Sequence, residues 1–101
     1  MVAQVFQALG DPVRLEMVQR LSRQQPCTIA TVSHDLGITR QGARKHLQVL
    51  VDAKLAVLEP RGREVYVQLA PGGIDQVKAF IDKLERQWDR RLAALKRFVE
   101  T

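Results

Sequence analysis

TIATVSHDLGITRQGARKHL, residues 28–47, decides the fold. It reads as two short helices joined by a tight turn. Gly37 suits the left-handed conformation that closes the first helix without a Cβ penalty. Ile38 plugs the angle between the helices, and Thr39 caps the second. Val32, Leu36, Ile38, Ala43 and Leu47 supply the apolar contacts that lock the pair. The second helix separates two roles by angle. At about 100° per residue, Ala43, Leu47, Leu50 and Val51 share one stripe, while Gln41, Lys45 and Gln48 point the opposite way. Arg40 and Arg44 flank the stripe on one side and His46 on the other. Residues near the start of such a helix reach base edges in the major groove, where arginine bridges guanine O6 and N7 and glutamine bridges adenine N6 and N7. The spacing predicts a DNA-reading helix-turn-helix over 28–53. Arg40, Gln41, Arg44 and Lys45 are expected in the groove, with Thr39 and Gln48 on the backbone. An ordinary solvated face is the plainer alternative. Gly42 costs the helix about 1 kcal/mol relative to alanine, which a close approach to DNA or to the preceding helix would explain.

The next segment of the chain strengthens the DNA-reading assignment. LAVLE (55–59) and EVYVQL (64–69) are short β-prone runs separated by PRGR (60–63), a turn signal with a cation on each side of the glycine. Val65, Val67 and Leu69 alternate with Tyr66 and Gln68, as in a half-buried strand. A hairpin over 55–69 with Arg61 and Arg63 at its tip, directly after a recognition helix, is a wing. Its tip is placed to hold the DNA flank.

LGDPVRL (9–15), ITRQGARKHLQVL (38–50) and RGREVYVQL (61–69) together resemble the ArsR/SmtB family of bacterial winged-helix repressors. The resemblance runs from residue 3 to about 70 by motif and over the remainder by pattern. It implies a homodimer with two recognition helices in successive major grooves of an imperfect palindrome, released by an inducer or a metal. The metal part does not carry over. Family members that sense metals often have two cysteines at positions matching Thr28 and Ala30, neither of which offers a thiolate. Others use histidines on the last helix, and residues 71–101 contain none. Cys27, His34 and His46 are too few for an intrachain tetrahedral site. A shared site using His34 and Asp35 across a dimer is the remaining option, and no metal or cofactor is expected.

Composition bounds the rest. A chain of 101 residues makes one domain with a modest core. The formal charge of +5 is unevenly placed: three basic and three acidic residues in 1–38, six against three in 39–71, and seven against five in 72–101. The excess falls over the reading helix and wing, the electrostatic footprint of a nucleic-acid binder, although a basic balance alone would also suit a membrane surface or an acidic protein. No segment approaches the roughly 20 apolar residues of a membrane span, and the first ten residues lack the basic region of a secretion signal. One cysteine excludes an intrachain disulfide, which fits a reducing cytoplasm. No Ser-His-Asp set, glycine-rich phosphate cradle or buried carboxylate pair points to an enzyme.

The fold class expected is mainly α with a small β-hairpin. Helices are predicted over about 2–9 and from AspPro (11–12) to near Gln24, the second with Leu15, Val18, Leu21 and Met17 facing inward. ProGlyGly (71–73) reads as the break before a long dimerisation helix over 73–99. There Ile74, Val77, Ile81, Leu84, Trp88, Leu92, Leu95 and Val99 recur every three or four residues, with Phe80 and Phe98 widening the stripe. A helix of roughly 26 residues spans about 39 Å, longer than so small a domain covers. Its simplest partner is a second copy, with Phe6, Val77, Ile81, Leu84, Trp88, Leu92 and Leu95 as the interface. Folding back on its own core is the alternative. A winged-helix protein-interaction module, or a ligand- or thiol-responsive regulator with Cys27 or a pocket near Trp88 as sensor, are the competing functions. An unknown small-molecule inducer fits the latter. His46 is placed either to touch a phosphate or to bond within the fold.

Overall fold

The computed structural model describes residues 1–100; Thr101, the end of the expected 1–101 domain, lies outside them. The elements are α1 (Val2–Leu9), α2 (Pro12–Arg23), β1 (Cys27–Thr28), α3 (Ile29–Ser33), α4 (Arg40–Asp52), β2 (Ala56–Arg61), β3 (Glu64–Leu69) and α5 (Pro71–Glu100). This is the mainly helical winged architecture read from the sequence, with three differences of detail.

The first is the sheet. It has three strands in the order β1-β3-β2, all antiparallel, with Cys27 opposite Val67 and Thr28 opposite Tyr66. A two-residue strand that runs straight into a helix cap has no period to detect. β2 is an edge strand, so Pro60 sits inside it, opposite Val65, and not in the turn; an edge tolerates a residue without an N–H. The turn shrinks to Gly62 and Arg63, with Gly62 at φ 60.

The second is the start of α5. Its first residue is Pro71, and Gly72 and Gly73 are helical. Proline suits a first helical turn, where its missing N–H costs least. Gly73 is there for space: a Cβ on it would stand 2.8 Å from the Ala53 carbonyl oxygen and 2.8 Å from Leu55 Cδ2. Its N–H donates to the Lys54 carbonyl at 2.7 Å. ProGlyGly is thus a tight join between α5 and the end of α4, not a break.

The third is the inner face of α2. Met17 and Leu21 are buried, with Val13 and Val18 partly so, whereas Leu15 is 43% exposed. The face follows the four-residue spacing 13, 17, 21, which turns Leu15 about 200° away from Met17. Asp11 caps this helix as expected. Its Oδ1 accepts from the N–H groups of Val13 at 2.8 Å and Arg14 at 3.2 Å.

One core joins these elements. Val5, Met17, Leu21, Val32, Leu47, Leu50, Leu55 and Val67 are fully buried side chains drawn from α1 through β3. α4 ends where Leu55 N–H reaches the Leu50 carbonyl and Lys54 N–H the Val51 carbonyl, both at 2.9 Å. This double closure requires a left-handed residue, and Lys54 takes it at φ 60. α1 packs on the first half of α5, where Phe6 meets Phe80 edge to face at 5.6 Å. Beyond that contact α5 leaves the body. Its 30 residues span about 45 Å, and the molecule measures 68 × 24 × 22 Å.

Candidate nucleic-acid interface

The reading unit is held by side chains more than by its short first helix. Thr28 caps α3 by accepting from the Thr31 N–H at 3.1 Å. At the other end, the Arg20 guanidinium donates to the carbonyls of His34 at 2.6 Å and Val32 at 3.3 Å, and pairs with Glu16 at 3.2 Å. The chain then turns through Asp35 at φ 60 and Gly37 at φ 69. Thr39 starts α4 by accepting from the Gly42 N–H at 2.9 Å. A Cβ on Gly42 would lie 3.2 Å from that same hydroxyl, so the glycine leaves room for the cap. Thr39 acts as the sequence indicated. Gly37 is left-handed as expected but sits within the turn: the left-handed residue directly after the α3 C-cap His34 is Asp35. The capping role of Arg20 has no signal in the sequence.

α4 divides as its period requires. Ala43, Leu47 and Leu50 are buried, and Arg40, Gln41, Arg44, Lys45 and Gln48 are all exposed. Gln48 donates to Asp52 one turn on at 2.8 Å. His46 belongs to the interior side: its Nδ1 lies 3.1 Å from Arg14 Nη1. Arg14 also donates from Nε to the Ala8 carbonyl at 2.7 Å, closing the end of α1. It therefore ties α1, α2 and the reading helix together. The first cause of a lowered Asp11 pKa is the Arg14 N–H bonded to its carboxylate; the Val13 N–H and the Arg14 charge add to it against desolvation.

The wing folds back toward the start of α4. Ser33, Thr39, Arg40 and Arg44 line one notch of about 430 Å³ together with Arg63 and Glu64 from the hairpin. Arg61 is placed differently. Its guanidinium pairs with Glu59 at 3.1 Å and lies 5.0 Å from the Tyr66 ring centre. Of the two wing cations singled out from the sequence, only Arg63 faces the reading helix across this notch. Glu64, not among the candidates, opens β3 directly after the turn and beside Arg63, and only the folding of the wing toward α4 brings it into the notch.

The remaining candidates lie elsewhere. Val77 packs against the core. Phe6, Ile81 and Leu84 are more than a third exposed, and Trp88, Leu92 and Leu95 more than half. Among the described residues, no group of three or more His, Cys, Asp or Glu side chains is placed to hold a metal ion. Thr28 and Ala30 offer a hydroxyl committed to a helix cap and a methyl, a poor fit to a soft metal. Cys27 is buried at the edge of a groove of about 610 Å³ between α2 and α3, and its thiol donates to the Gln24 carbonyl at 2.8 Å.

Comparison with known proteins agrees with this geometry. A family model described as a helix-turn-helix domain matches residues 9–59. The HTH-type transcriptional regulator Rv2034 of Mycobacterium tuberculosis is 29% identical over 96 residues, covering 95% of this chain and 86% of its own length. The solved structure of an ArsR-like transcriptional regulator from Rhodococcus sp. RHA1 superposes with a TM-score of 0.78 at 30% identity, over 96% of this chain and 91% of that one. The homodimeric winged helix-turn-helix DNA-binding domain of a Mycobacterium bovis protein shares the fold, with a TM-score of 0.66 at 20% identity over 89% and 82% of the two chains. With a helix-turn-helix that matches over half its length and relatives that are transcriptional regulators, the chain belongs to the ArsR/SmtB family of winged helix-turn-helix transcriptional regulators.

Proposed function

We propose that the chain works as a homodimeric repressor that binds a palindromic operator, each subunit laying α4 in a major groove. The observation that carries this reading is the notch. Arg40 and Arg44 from α4 and Arg63 from the wing converge there, and none of the three takes part in an ion pair within 4.0 Å among the described residues. Three unneutralised guanidiniums on one concave face favour a polyanion. Gln41, Arg44 and Lys45 then read base edges beside Arg40, while Thr39, Gln48, Arg61 and Arg63 hold phosphates. Arg61 contributes less than Arg63, because Glu59 already answers its charge. The residues 1–101 act as one DNA-binding unit in the cytoplasm.

The dimer rests on α5. Its exposed stripe from Ile74 to Val99 is centred between Arg86 and Gln87. An antiparallel second copy covers it end to end. The second half of α5 carries Arg90, Arg91, Lys96 and Arg97 against Asp89 and Glu100, while the first half balances Asp75, Asp82 and Glu85 with Lys78, Lys83 and Arg86, so the antiparallel arrangement keeps the two cationic halves apart. The Mycobacterium bovis domain of the same fold is homodimeric, which favours a dimer without bearing on how its helices pair.

Fluorescence anisotropy against the chain's own upstream DNA and a scrambled duplex, at two salt concentrations, tests the reading. A hundredfold preference, about 2.7 kcal/mol, with strong salt dependence is expected. Arg44→Ala should cost about 1–3 kcal/mol on the preferred site, and Arg63→Ala should weaken all duplexes alike. Equal weak binding to both duplexes, with a stable monomer by light scattering, would favour a protein-interaction module instead. A second reading adds a trigger to the same fold. The groove beside Cys27 is roomy enough for a small-molecule inducer, and unchanged DNA affinity after peroxide and in Cys27→Ser would remove its thiol version.

A further inference from the structure

The cationic notch holds one acid. Glu64 is exposed, opens β3 opposite Arg61 in the register, and lines the notch with Arg40, Arg44 and Arg63. No cation stands within 4.0 Å of its carboxylate among the described residues. The other wing acid, Glu59, shows the contrasting arrangement, paired with Arg61 at 3.1 Å. An unneutralised carboxylate in a site built for a polyanion repels every phosphate that enters. The notch is smaller than the screening length of roughly 10 Å at 0.1 M salt, so that repulsion is not lost to counterions. Base edges behave differently. Cytosine N4 and adenine N6 are amino donors, and a carboxylate accepts from them.

We infer that Glu64 is a specificity-determining residue of the DNA interface. It weakens binding of the phosphate backbone of any sequence, and it accepts from an exocyclic amino group when the right base is presented. The three guanidiniums supply attraction that is blind to sequence, and Glu64 subtracts from it wherever no base compensates. This role rests on the proposed DNA binding.

Selection of duplexes from a randomised pool, followed by titration of the selected duplex and one random duplex at 0.1 M salt, tests it. Glu64→Gln is expected to tighten the random duplex by roughly fivefold, about 1 kcal/mol at 1.4 per decade, and to steepen its salt dependence by about one counterion. Binding of the selected duplex should not tighten, so the ratio between the two falls by about fivefold or more. Glu64→Asp, which keeps the charge, should hold the random duplex near its original affinity. Glu100→Gln removes the same charge at the far end of α5 and should leave the ratio unchanged. An unchanged ratio in Glu64→Gln, or an equal fall in Glu100→Gln, would overturn the inference while sparing the DNA-binding reading. Failure of the original chain to enrich any sequence would overturn both.

Discussion

α4 and α5 carry the same kind of apolar stripe and put it to opposite uses. α4 buries Ala43, Leu47 and Leu50 to 1% exposure or less, whereas α5 leaves Trp88, Leu92 and Leu95 each more than half exposed. The difference lies in what surrounds them. α4 is packed by α1, α2, α3 and β2, while α5 meets chiefly α1, through its first half. A period of 3.6 residues tells that a face must be covered. It does not tell whether the same chain or another one covers it.

The sharpest way to break that comparison is to empty both faces. Leu47→Ala removes a fully buried side chain and should cost about 2–5 kcal/mol, read from the midpoint of urea unfolding. The loss should appear at every protein concentration. Leu95→Ala should act mainly through association, so its effect is largest where the original chain is dimeric, shrinks with dilution and vanishes where the original chain is itself monomeric. A concentration-independent loss equal to that of Leu47→Ala would mean that α5 folds back on its own core. Next in size is the joint between the two helices. Gly73→Ala drives a methyl into the Ala53 carbonyl and Leu55 at 2.8 Å, and overpacking of this kind costs roughly 1–3 kcal/mol. A thermal melt unchanged by that substitution would show that α5 shifts freely against α4.

Much of this was legible in the sequence, and the reasons differ from element to element. The reading helix was plain because cap, glycine turn and stripe agree on one register. The hairpin was plain because Val65, Val67 and Leu69 alternate about a turn signal. β1 was not legible, since two residues carry no period, and neither was the helical start at ProGlyGly, where the need for Gly73 comes from Ala53 and Leu55, about 20 residues back in the chain. Arg14 and Arg20 were also hidden. Each closes a helix end and reaches elements far away in sequence, and a lone arginine on a surface helix gives no sign of that. Within the notch, the cations were read from spacing. Glu64 required knowing that the wing folds toward α4.

The left-handed positions sharpen the picture at a smaller scale. Asp35 and Lys54, both at φ 60, directly follow the C-caps of α3 and α4 without a glycine, whereas Gly37 at φ 69 is left-handed within the turn that leads into α4. Lys54→Gly should stabilise the fold by about 1 kcal/mol, and Gly37→Ala should destabilise it by a similar amount. No atom lies within 4 Å of a Cβ built on Gly37, so its cost is conformational alone. A loss of stability in Lys54→Gly would show that the lysine side chain contributes more than its backbone strain removes.

The smallest expected effect is electrostatic and sits at the cap of α2. The Arg14 N–H, the Val13 N–H and the Arg14 charge hold the Asp11 carboxyl below its ordinary value. A carboxylate whose folded value is depressed contributes stability that is present above its unfolded value and is lost as pH falls through the folded one. The relevant window lies at and below the ordinary value of 3.8. Asp11→Asn keeps a capping oxygen and removes the titration. The variant should be slightly less stable at pH 7, and the gap in Tm should close as the pH is lowered through that window. Added salt should narrow the gap at pH 7, because the group faces solvent and its charge is screened. Parallel melting curves for both proteins from pH 7 to pH 3 would show that the cap holds through its oxygen alone, with no contribution from the charge.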